Sequence, residues 1–223
     1  MKLKVIFLMF FVIILSSIVI AGSLDNWHWR NPVPQGNKLF GVTYGNNTFI
    51  TVGEWGALLT SSDGITWTER ISGTSDPLTG VTYGNNTFVA VGGKWWEWDS
   101  KGIILTSSDG ITWIERLSGT INALSKVTFS NNKFIAVGYG GTILTSSNGI
   151  TWTERTSGTP YPLGEIIYGN NTFTAIGEGG TILTSSDGVI WTIRFSDDIT
   201  ICIDITYGNN TFVVVGVERH VGD

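Results

Sequence analysis

The sequence contains few of the residues that build disulfides, metal sites and nucleophilic active sites. Of its 223 residues, one is cysteine, Cys202, and two are histidine, His28 and His220. A single cysteine excludes an intramolecular disulfide, and two histidines at opposite ends of the chain offer no metal-ligand spacing. We therefore expect no metal and no cofactor. Because Cys202 replaces a leucine of the repeat described below, we expect it to be a buried, inert thiol.

Positive charge is also scarce. The 13 Lys and Arg residues are outnumbered by 18 Asp and Glu residues, so the formal net charge is -5, and only 14% of residues are charged. Proteins that follow a phosphate backbone need clustered Lys and Arg, so this composition excludes nucleic acid as a partner. The aliphatic and aromatic residues are numerous enough to bury a core.

The N-terminus has the composition of a secretory signal. Two lysines precede an apolar run over residues 5–20, and small residues follow that run. This order predicts a signal peptide over residues 1–23, cleaved after Ala21 or Ser23, and a secreted or periplasmic protein. The alternative is an uncleaved membrane anchor that holds the rest of the chain outside the cytoplasm, because the run approaches the length of a spanning helix.

Residues 24–223 repeat one pattern about five times. Its first part reads L-x-x-V-T-Y-G-N-N-T-F-x-x-V-G, and its second part reads I-L-T-S-S-D-G-I-T-W-T-E-R-x-S-G-T. The aromatic residue two positions before the Asn-Asn pair recurs at intervals of 39, 46, 39 and 39 residues, at Tyr44, Tyr83, Phe129, Tyr168 and Tyr207. This period is typical of propeller blades and helical solenoids.

Each copy predicts four short antiparallel strands. In the first copy, the Asn46-Asn47 pair between two apolar runs predicts a tight hairpin, because Asn tolerates positive φ. The turn at residues 61–64 leads to a fourth run that ends in Glu69 and Arg70. The second and third runs are apolar at successive positions, which is typical of strands covered on both faces, whereas the charged fourth run is typical of an exposed edge. We therefore predict an all-β protein, a β-propeller of four-stranded antiparallel blades.

The two ends of the array bear on the number of blades. The segment 27–30 matches the W-x-x-R pattern of the outer strands, whereas the last copy has its first hairpin but no recognisable fourth strand before Asp223. The N-terminal strand could complete that last copy, which would give four full blades plus a composite fifth in one monomeric domain over residues 24–223. The alternative is a truncated form of a larger propeller.

The turn sequences SSDGITW at 61–67 and 107–113, SSNGITW at 146–152 and SSDGVIW at 185–191 resemble the Asp-box, or BNR, hairpin of sialidase-like propellers. They are one residue shorter between Asp and Trp than the usual box. Together with GNNTFVAVG and GGTILTSS, they look like bacterial propellers related to the photosystem II assembly and stability factor. The resemblance covers the chain after Asn26 and implies the fold and a protein partner. It implies no activity, because Asp boxes occur in hydrolases, binding modules and assembly factors alike.

The positions of the arginines argue against a sialidase-like active site. Such a site needs three arginines that converge on a substrate carboxylate. The repeated arginines share one outer-strand position, which would spread them around the rim of a propeller: Arg30, Arg70, Arg116, Arg155 and Arg194. We expect these arginines and the Asp-box residues to be structural.

The departures from the repeat contain the candidate binding residues. The second copy has an insertion over residues 93–101, which contains Trp95, Trp96, Glu97, Trp98 and Asp99. The corresponding turns of other copies contain Glu54, Trp55, Tyr139 and Glu178. In a propeller these turns share one face, so we expect a ligand-binding surface there. Exposed aromatic rings beside carboxylates suit glycan stacking, and Trp is also a favoured anchor in protein interfaces. The alternative is that the insertion folds down as a hydrophobic plug.

We therefore predict a non-catalytic propeller that binds a protein or glycan partner through its Trp-rich face. The first alternative is a glycoside hydrolase that uses two of four carboxylates as acid and base, drawn from Glu54, Glu97, Asp99 and Glu178. The second alternative is a propeller fragment without independent activity.

Overall fold

The computed structural model describes residues 36–96, 101–197 and 200–218, all of which fall within the unit Pro32–Asp223. The predicted signal over residues 1–23 and the W-x-x-R segment at 27–30 lie outside the described residues. The cleavage site and the composite fifth blade therefore stay predictions. Among the described residues, no helical segment has the length and hydropathy needed to span a bilayer.

The described residues form four sheets of four antiparallel strands each, followed by a two-stranded sheet, and strands neighbour each other in chain order. The first sheet contains β1 (Leu39–Gly45), β2 (Thr48–Gly53), β3 (Leu58–Ser61) and β4 (Thr68–Glu69). The second contains β5 (Leu78–Gly84), β6 (Thr87–Gly92), β7 (Ile103–Ser107) and β8 (Ile114–Arg116). The third contains β9 (Leu124–Ser130), β10 (Lys133–Gly138), β11 (Ile143–Ser146) and β12 (Thr153–Arg155). The fourth contains β13 (Leu163–Gly169), β14 (Thr172–Gly177), β15 (Ile182–Ser185) and β16 (Thr192–Phe195), and the last contains β17 (Thr200–Gly208) and β18 (Thr211–Glu218). The predicted four-stranded blades are confirmed.

The Asn-Asn pairs form the tight turns of the first hairpin in every copy. Both asparagines of all five pairs have positive φ, between 44° and 58°, as a type I′ turn requires. In four copies the threonine after the pair donates its hydroxyl hydrogen to the carbonyl oxygen of the first asparagine, at 3.2–3.3 Å. The predicted hairpin turns are confirmed.

Consecutive sheets pack face to face, and each contact layer between two sheets, which we call a seam, has its own hydrophobic core. At the first seam, Ile50 and Val52 of β2 belong to one buried cluster with Leu78 and Val81 of β5. Equivalent clusters fill the second and third seams. A smaller cluster that includes Cys202 fills the fourth seam. The hydrophobic core is therefore divided among the seams, one for each pair of neighbouring sheets.

The second strand of a sheet contributes to two seams at once. Phe88 and Ala90 of β6 belong to the first seam, whereas Val89 and Val91 belong to the second. Successive side chains of a strand point to opposite faces, so a strand between two neighbours must be apolar at every position. The outer strands β4, β8, β12 and β16 are mostly exposed. Both predictions about strand burial are confirmed.

At three of the four seams, an aromatic ring of one sheet covers a glycine of the sheet before it. A Cβ at Gly84 would overlap the ring of Phe129. Glycines and aromatic rings make the same contact at the first and fourth seams, as Gly45 with Tyr83 and Gly169 with Tyr207. At the third seam Ser130 takes the place of the glycine. The glycine next to the repeated aromatic residue therefore leaves room for the aromatic ring of the neighbouring sheet.

The Asp boxes are turns held by bonds from side chains to the backbone. Asp63 Oδ1 accepts hydrogens from the amides of Ile65 and Thr66 at 2.8 and 2.7 Å. The same bonds recur at Asp109, at Asp187 and at the amide oxygen of Asn148. These amides, chiefly that of the third residue after the aspartate, lower the pKa of the three carboxyl groups from 3.8 to about 2. The carboxylates are thus committed to the turns.

The repeated tryptophans and arginines also have structural contacts. Trp113 donates its Nε1 hydrogen to the carbonyl oxygen of Gly110 at 3.1 Å, and its ring lies 6.5 Å from that of Phe88. The Nε of each described arginine donates to a threonine Oγ1 of the adjacent third strand at 2.7–2.9 Å, in Arg70, Arg116, Arg155 and Arg194. Arg116, Arg155 and Arg194 lie on three outer strands, and Arg70 directly follows β4, so the arginines are spread over four sheets as predicted. Arg30 lies outside the described residues.

Cys202 is buried, and burial raises the pKa of its thiol, with a further contribution from the charge of Asp197. The thiolate that a nucleophilic cysteine needs is therefore disfavoured. The predicted buried thiol is confirmed.

We predict that Gly84→Ala destabilises the protein, because the added methyl group must displace the ring of Phe129. The expected loss in the free energy of unfolding is about 1–3 kcal/mol. Gly164 also lies on an inner strand, but no described atom lies within 4 Å of its Cβ position. Gly164→Ala is thus the matched control, with an expected change within about 0.5 kcal/mol. Chemical denaturation of both variants measures the difference, and equal losses would contradict the prediction.

We also predict that the three Asp boxes make stability fall in acid. A carboxyl whose pKa is lower in the folded protein stabilises the fold while ionised in both states. This contribution is present above pH 3.8 and is lost as the pH falls through about 2. The triple variant Asp63→Asn, Asp109→Asn and Asp187→Asn should keep the turns, as Asn148 does, and lose stability less steeply across that interval. Thermal unfolding at stepped pH measures the slope, and an unchanged slope would contradict the assignment.

Candidate binding surface

The turns between second and third strands lie on the same side of the unit as the links between sheets. The amide of the first turn residue donates to the carbonyl oxygen just before the inner strand in four copies, at 2.9–3.0 Å: Glu54 to Lys38, Gly93 to Pro77, Tyr139 to Ala123 and Glu178 to Pro162. We call this side the link face. The Asn-Asn turns and Asp boxes lie at the opposite strand ends, on the box face. The described candidate residues therefore share one face, as predicted.

Trp55 has an unusual backbone conformation on the link face. Its φ and ψ are 56° and 31°, in the left-handed region, and its side chain is 68% exposed. The third and fourth copies have glycine at this point of the turn, with φ of 61° at both Gly140 and Gly179. A bulky residue with positive φ is an outlier, whereas glycine adopts this conformation freely. The first copy thus keeps a tryptophan at a position that suits glycine.

A shallow groove of about 590 Å³ lies beside Trp55. Its lining includes Trp55 and Ala57 from the turn after β2, and Arg70, Ile71 and Thr74 from the link after the first sheet. Ile71 is exposed, and Arg70 is held in place by its bond to Thr60. The groove therefore combines apolar surface with a fixed guanidinium group.

A second aromatic group lies where the insertion meets the first sheet. The ring of Trp95 stands edge-on to that of Phe40 at 6.4 Å, and edge-on to that of Trp96 at 4.6 Å. All three rings are exposed. Lys94 makes an ion pair of 3.7 Å with Asp76 in the link between the first two sheets. We call Phe40, Trp95 and Trp96 the aromatic cluster.

The remaining described candidates have polar surroundings. Glu54 makes an ion pair with Lys38 at 3.2 Å. Burial raises the pKa of Tyr139, and the charge of Glu178 in the next sheet raises it further. The two neighbouring turns of the third and fourth sheets therefore bring a tyrosine close to a carboxylate.

Three predicted site residues, Glu97, Trp98 and Asp99, lie outside the described residues. Within the described ranges, no group of three or more His, Cys, Asp or Glu side chains is placed to hold a metal ion. Both histidines also lie outside these ranges, so the expected absence of a metal stays a prediction.

Sequence reasoning missed two residues of this surface. Phe40 belongs to the aromatic cluster, and Ile71 lines the groove beside Trp55. Phe40 stands where the other copies have threonine, serine, glycine and isoleucine, and this substitution within the repeat was the available signal. No comparable signal marks Ile71, because the residue after the repeated arginine varies among all copies.

No protein-family model matches the chain, and no curated protein matches its sequence. Solved structures match it by fold. The chain is similar to YCF48 from Cyanidioschyzon merolae, with a TM-score of 0.60 and 18% identity over 87% of this chain and 69% of that one. It is also similar to YCF48 bound to D1 peptide, with a TM-score of 0.59 and 18% identity over 81% of this chain and 61% of that one. For the WD40 β-propeller domain of Doa1 the TM-score is 0.60 and the identity 13%, over 85% and 68% of the two chains.

The fold is that of a β-propeller. The chain spans 61–69% of the length of these structures, and at 13–18% identity the likeness shows the fold alone. Function must therefore be argued from the surface residues.

We predict that Trp55→Gly gives a more stable protein than Trp55→Ala. Alanine keeps the cost of the left-handed conformation, about 1–2 kcal/mol for a residue with a Cβ, whereas glycine removes it. Glycine loses more backbone entropy on folding, roughly 0.5–1 kcal/mol, so the net difference should be about 0.5–1 kcal/mol in favour of glycine. Denaturant unfolding of the two variants measures it. A more stable alanine variant would show that residue 55 is not strained.

Proposed function

We propose that this protein is a non-catalytic propeller, located outside the cytoplasm, that holds an extended segment of a protein partner on its link face. Trp55 is the principal anchor, and the aromatic cluster is the second. The observation that carries the proposal is the left-handed, exposed conformation of Trp55.

The energetics of Trp55 support a role outside the fold. The left-handed backbone costs about 1–2 kcal/mol at a residue other than glycine. A ring that is 68% exposed recovers little of this cost by packing within the protein. Strain that the fold does not require is typical of functional positions. A partner that covers the ring would give the compensating contact.

The aromatic cluster is a second reason to place the partner on the link face. Tryptophan is enriched among the residues that dominate binding energy in protein interfaces. Trp95 and Trp96 are both exposed, and the ion pair between Lys94 and Asp76 holds the start of the insertion on the link face. A partner segment that contacts both Trp55 and the cluster would lie across the first two sheets.

The shape and chemistry of the groove favour a peptide over a small molecule. A shallow groove suits a ligand that lies on the surface, whereas small-molecule sites enclose most of the ligand. The exposed Ile71 offers an apolar contact to side chains, and Arg70 can donate to carbonyl oxygens of a peptide backbone. The structure of YCF48 bound to D1 peptide adds an analogy at the level of the fold.

The roles of the repeated polar residues support the absence of catalysis. The Asp-box carboxylates accept backbone amides, and the repeated arginines bind threonines of their own sheets. Of the four carboxylates that a glycoside hydrolase could use, Glu54 is paired with Lys38. These residues have structural explanations that need no substrate.

Binding to a library of random peptides, followed by affinity measurement on the selected peptides, tests the proposal. We expect Trp55→Gly to weaken binding about 30-fold or more, as for a hot-spot residue, although it retains a favourable backbone. Trp95→Ala should also weaken the binding of those peptides that reach the aromatic cluster. Ile190→Ala removes an equally exposed side chain from the box face and is the matched control, with unchanged affinity expected.

Two results would overturn the proposal. One is that peptides bind equally well to the wild type and to Trp55→Gly. The other is that the library yields no peptide, while a polysaccharide panel yields a ligand that depends on Trp55. Hydrolysis of that polysaccharide would establish the glycoside hydrolase instead.

A further inference from the structure

The two ends of the array expose apolar residues whose counterparts are buried at the seams. Val42 of β1 is 67% exposed, although its counterpart Val81 in β5 is 9% exposed. At the other end, Val213 and Val215 of β18 are 52% and 56% exposed. Their counterparts in β6 are fully buried in the second seam.

The register of the hairpins establishes which residues correspond. Val42 lies opposite the fourth residue of β2, just as Val81 lies opposite the fourth residue of β6. Val213 and Val215 have the same places in their hairpin as Val89 and Val91 have in theirs. The exposed residues are therefore seam residues by position.

The two ends are different and complementary. At an internal seam, the inner-strand face of one sheet packs on the second-strand face of the sheet before it, as Val81 does on Ile50 and Val52. The β1 end presents a face of the first kind, and the β18 end presents a face of the second kind. Each end thus matches the other end and does not match itself.

The two faces of one chain do not cover each other, because Val42 and Val215 are both more than half exposed. We propose that the β1 face of one copy takes the β18 face of a second copy, so that copies associate head to tail. The contact would be a seam of the kind that recurs between consecutive sheets within the chain. Its central residues, Leu39, Val42, Val213 and Val215, are all aliphatic, as at the internal seams.

A contact between unlike faces leaves one free face of each kind on every assembly. Such heterologous contacts produce either a closed ring or an open chain of copies. The sequence-based expectation was a monomer, so the proposal departs from it. It goes beyond the proposed function and does not depend on Trp55.

The test uses the protein recovered from cells that express the full-length chain, analysed by sedimentation velocity over a range of concentrations. We expect the wild type to form oligomers whose size grows with concentration. Val42→Asp and Val215→Asp each place a charge in the proposed seam and should weaken association at least about tenfold. Ile121→Asp places the same charge at an exposed position outside the proposed seam and should leave association unchanged.

Mixing the two variants gives a sharper result. Val42→Asp keeps an intact β18 face, and Val215→Asp keeps an intact β1 face. Each variant alone should be monomeric, whereas an equimolar mixture should form a dimer with one seam and stop there. Circular dichroism checks folding, and Val42→Thr and Val215→Thr replace any aspartate variant that unfolds.

Several outcomes would overturn the proposal. A wild type that stays monomeric at all concentrations would show that the two faces do not bind each other between copies. A mixture of the two variants that stays monomeric would exclude the head-to-tail contact. Oligomers that persist in both single variants would place the interface elsewhere.

Discussion

Contact between neighbouring sheets is the interaction on which the rest of this structure depends. A sheet of four short strands has two faces, and the second strand has apolar side chains on both. Both sets of side chains must be buried. Each sheet is therefore incomplete without the sheets on either side. The aromatic ring that covers a glycine of the previous sheet brings the inner strands close together. The sequence repeats because the same contact between neighbouring sheets recurs at each seam.

The repeated residues form the seams and the turns. Few of them are therefore free to change in a way that would create a binding site. The Asp boxes, the outer-strand arginines and the Asn-Asn turns all have local structural partners. The residues that distinguish one copy for recognition are therefore the departures from the repeat. Two of them, Trp55 and the described start of the insertion at 93–96, occur in the first two sheets and on the same face. A stable scaffold with one altered face is how repeat proteins separate folding from binding.

The same dependence on neighbours makes the ends of the array conspicuous. The last hairpin belongs to the smallest of the core clusters, and its second strand is largely exposed. At the other end, β1 exposes positions that are buried in the next three sheets. An apolar sheet face that lacks its neighbour is a strong interaction surface. The apolar surfaces of β1 and β18 therefore have the same origin as the seams between the sheets: both consist of residues that pack against a neighbouring sheet.

Much of the fold could be predicted from the sequence because its causes are local and repeated. Asparagine pairs tolerate positive φ, Ser-x-Asp-Gly turns satisfy their own amides, and continuous apolar runs mark strands buried on both faces. The candidate face also followed from strand order, since the turns joining second and third strands share one side. The meeting of Phe40 with Trp95, and of Tyr139 with Glu178, could not be predicted in this way, because each pair joins residues of different sheets.

The sequence by itself determined the strands, the turns and the division into four-stranded blades, because each depends on residues within one copy. Only the tertiary structure decided which residues of different sheets meet, because those contacts depend on how neighbouring sheets pack. It also revealed the left-handed backbone of Trp55. The sequence does not predict this conformation for a tryptophan, because glycine occupies the same point of the turn in the third and fourth copies. The exposure of Val42 and Val215 is of the same kind. Their sequence positions match those of buried residues, and only the absence of a described neighbouring sheet distinguishes them.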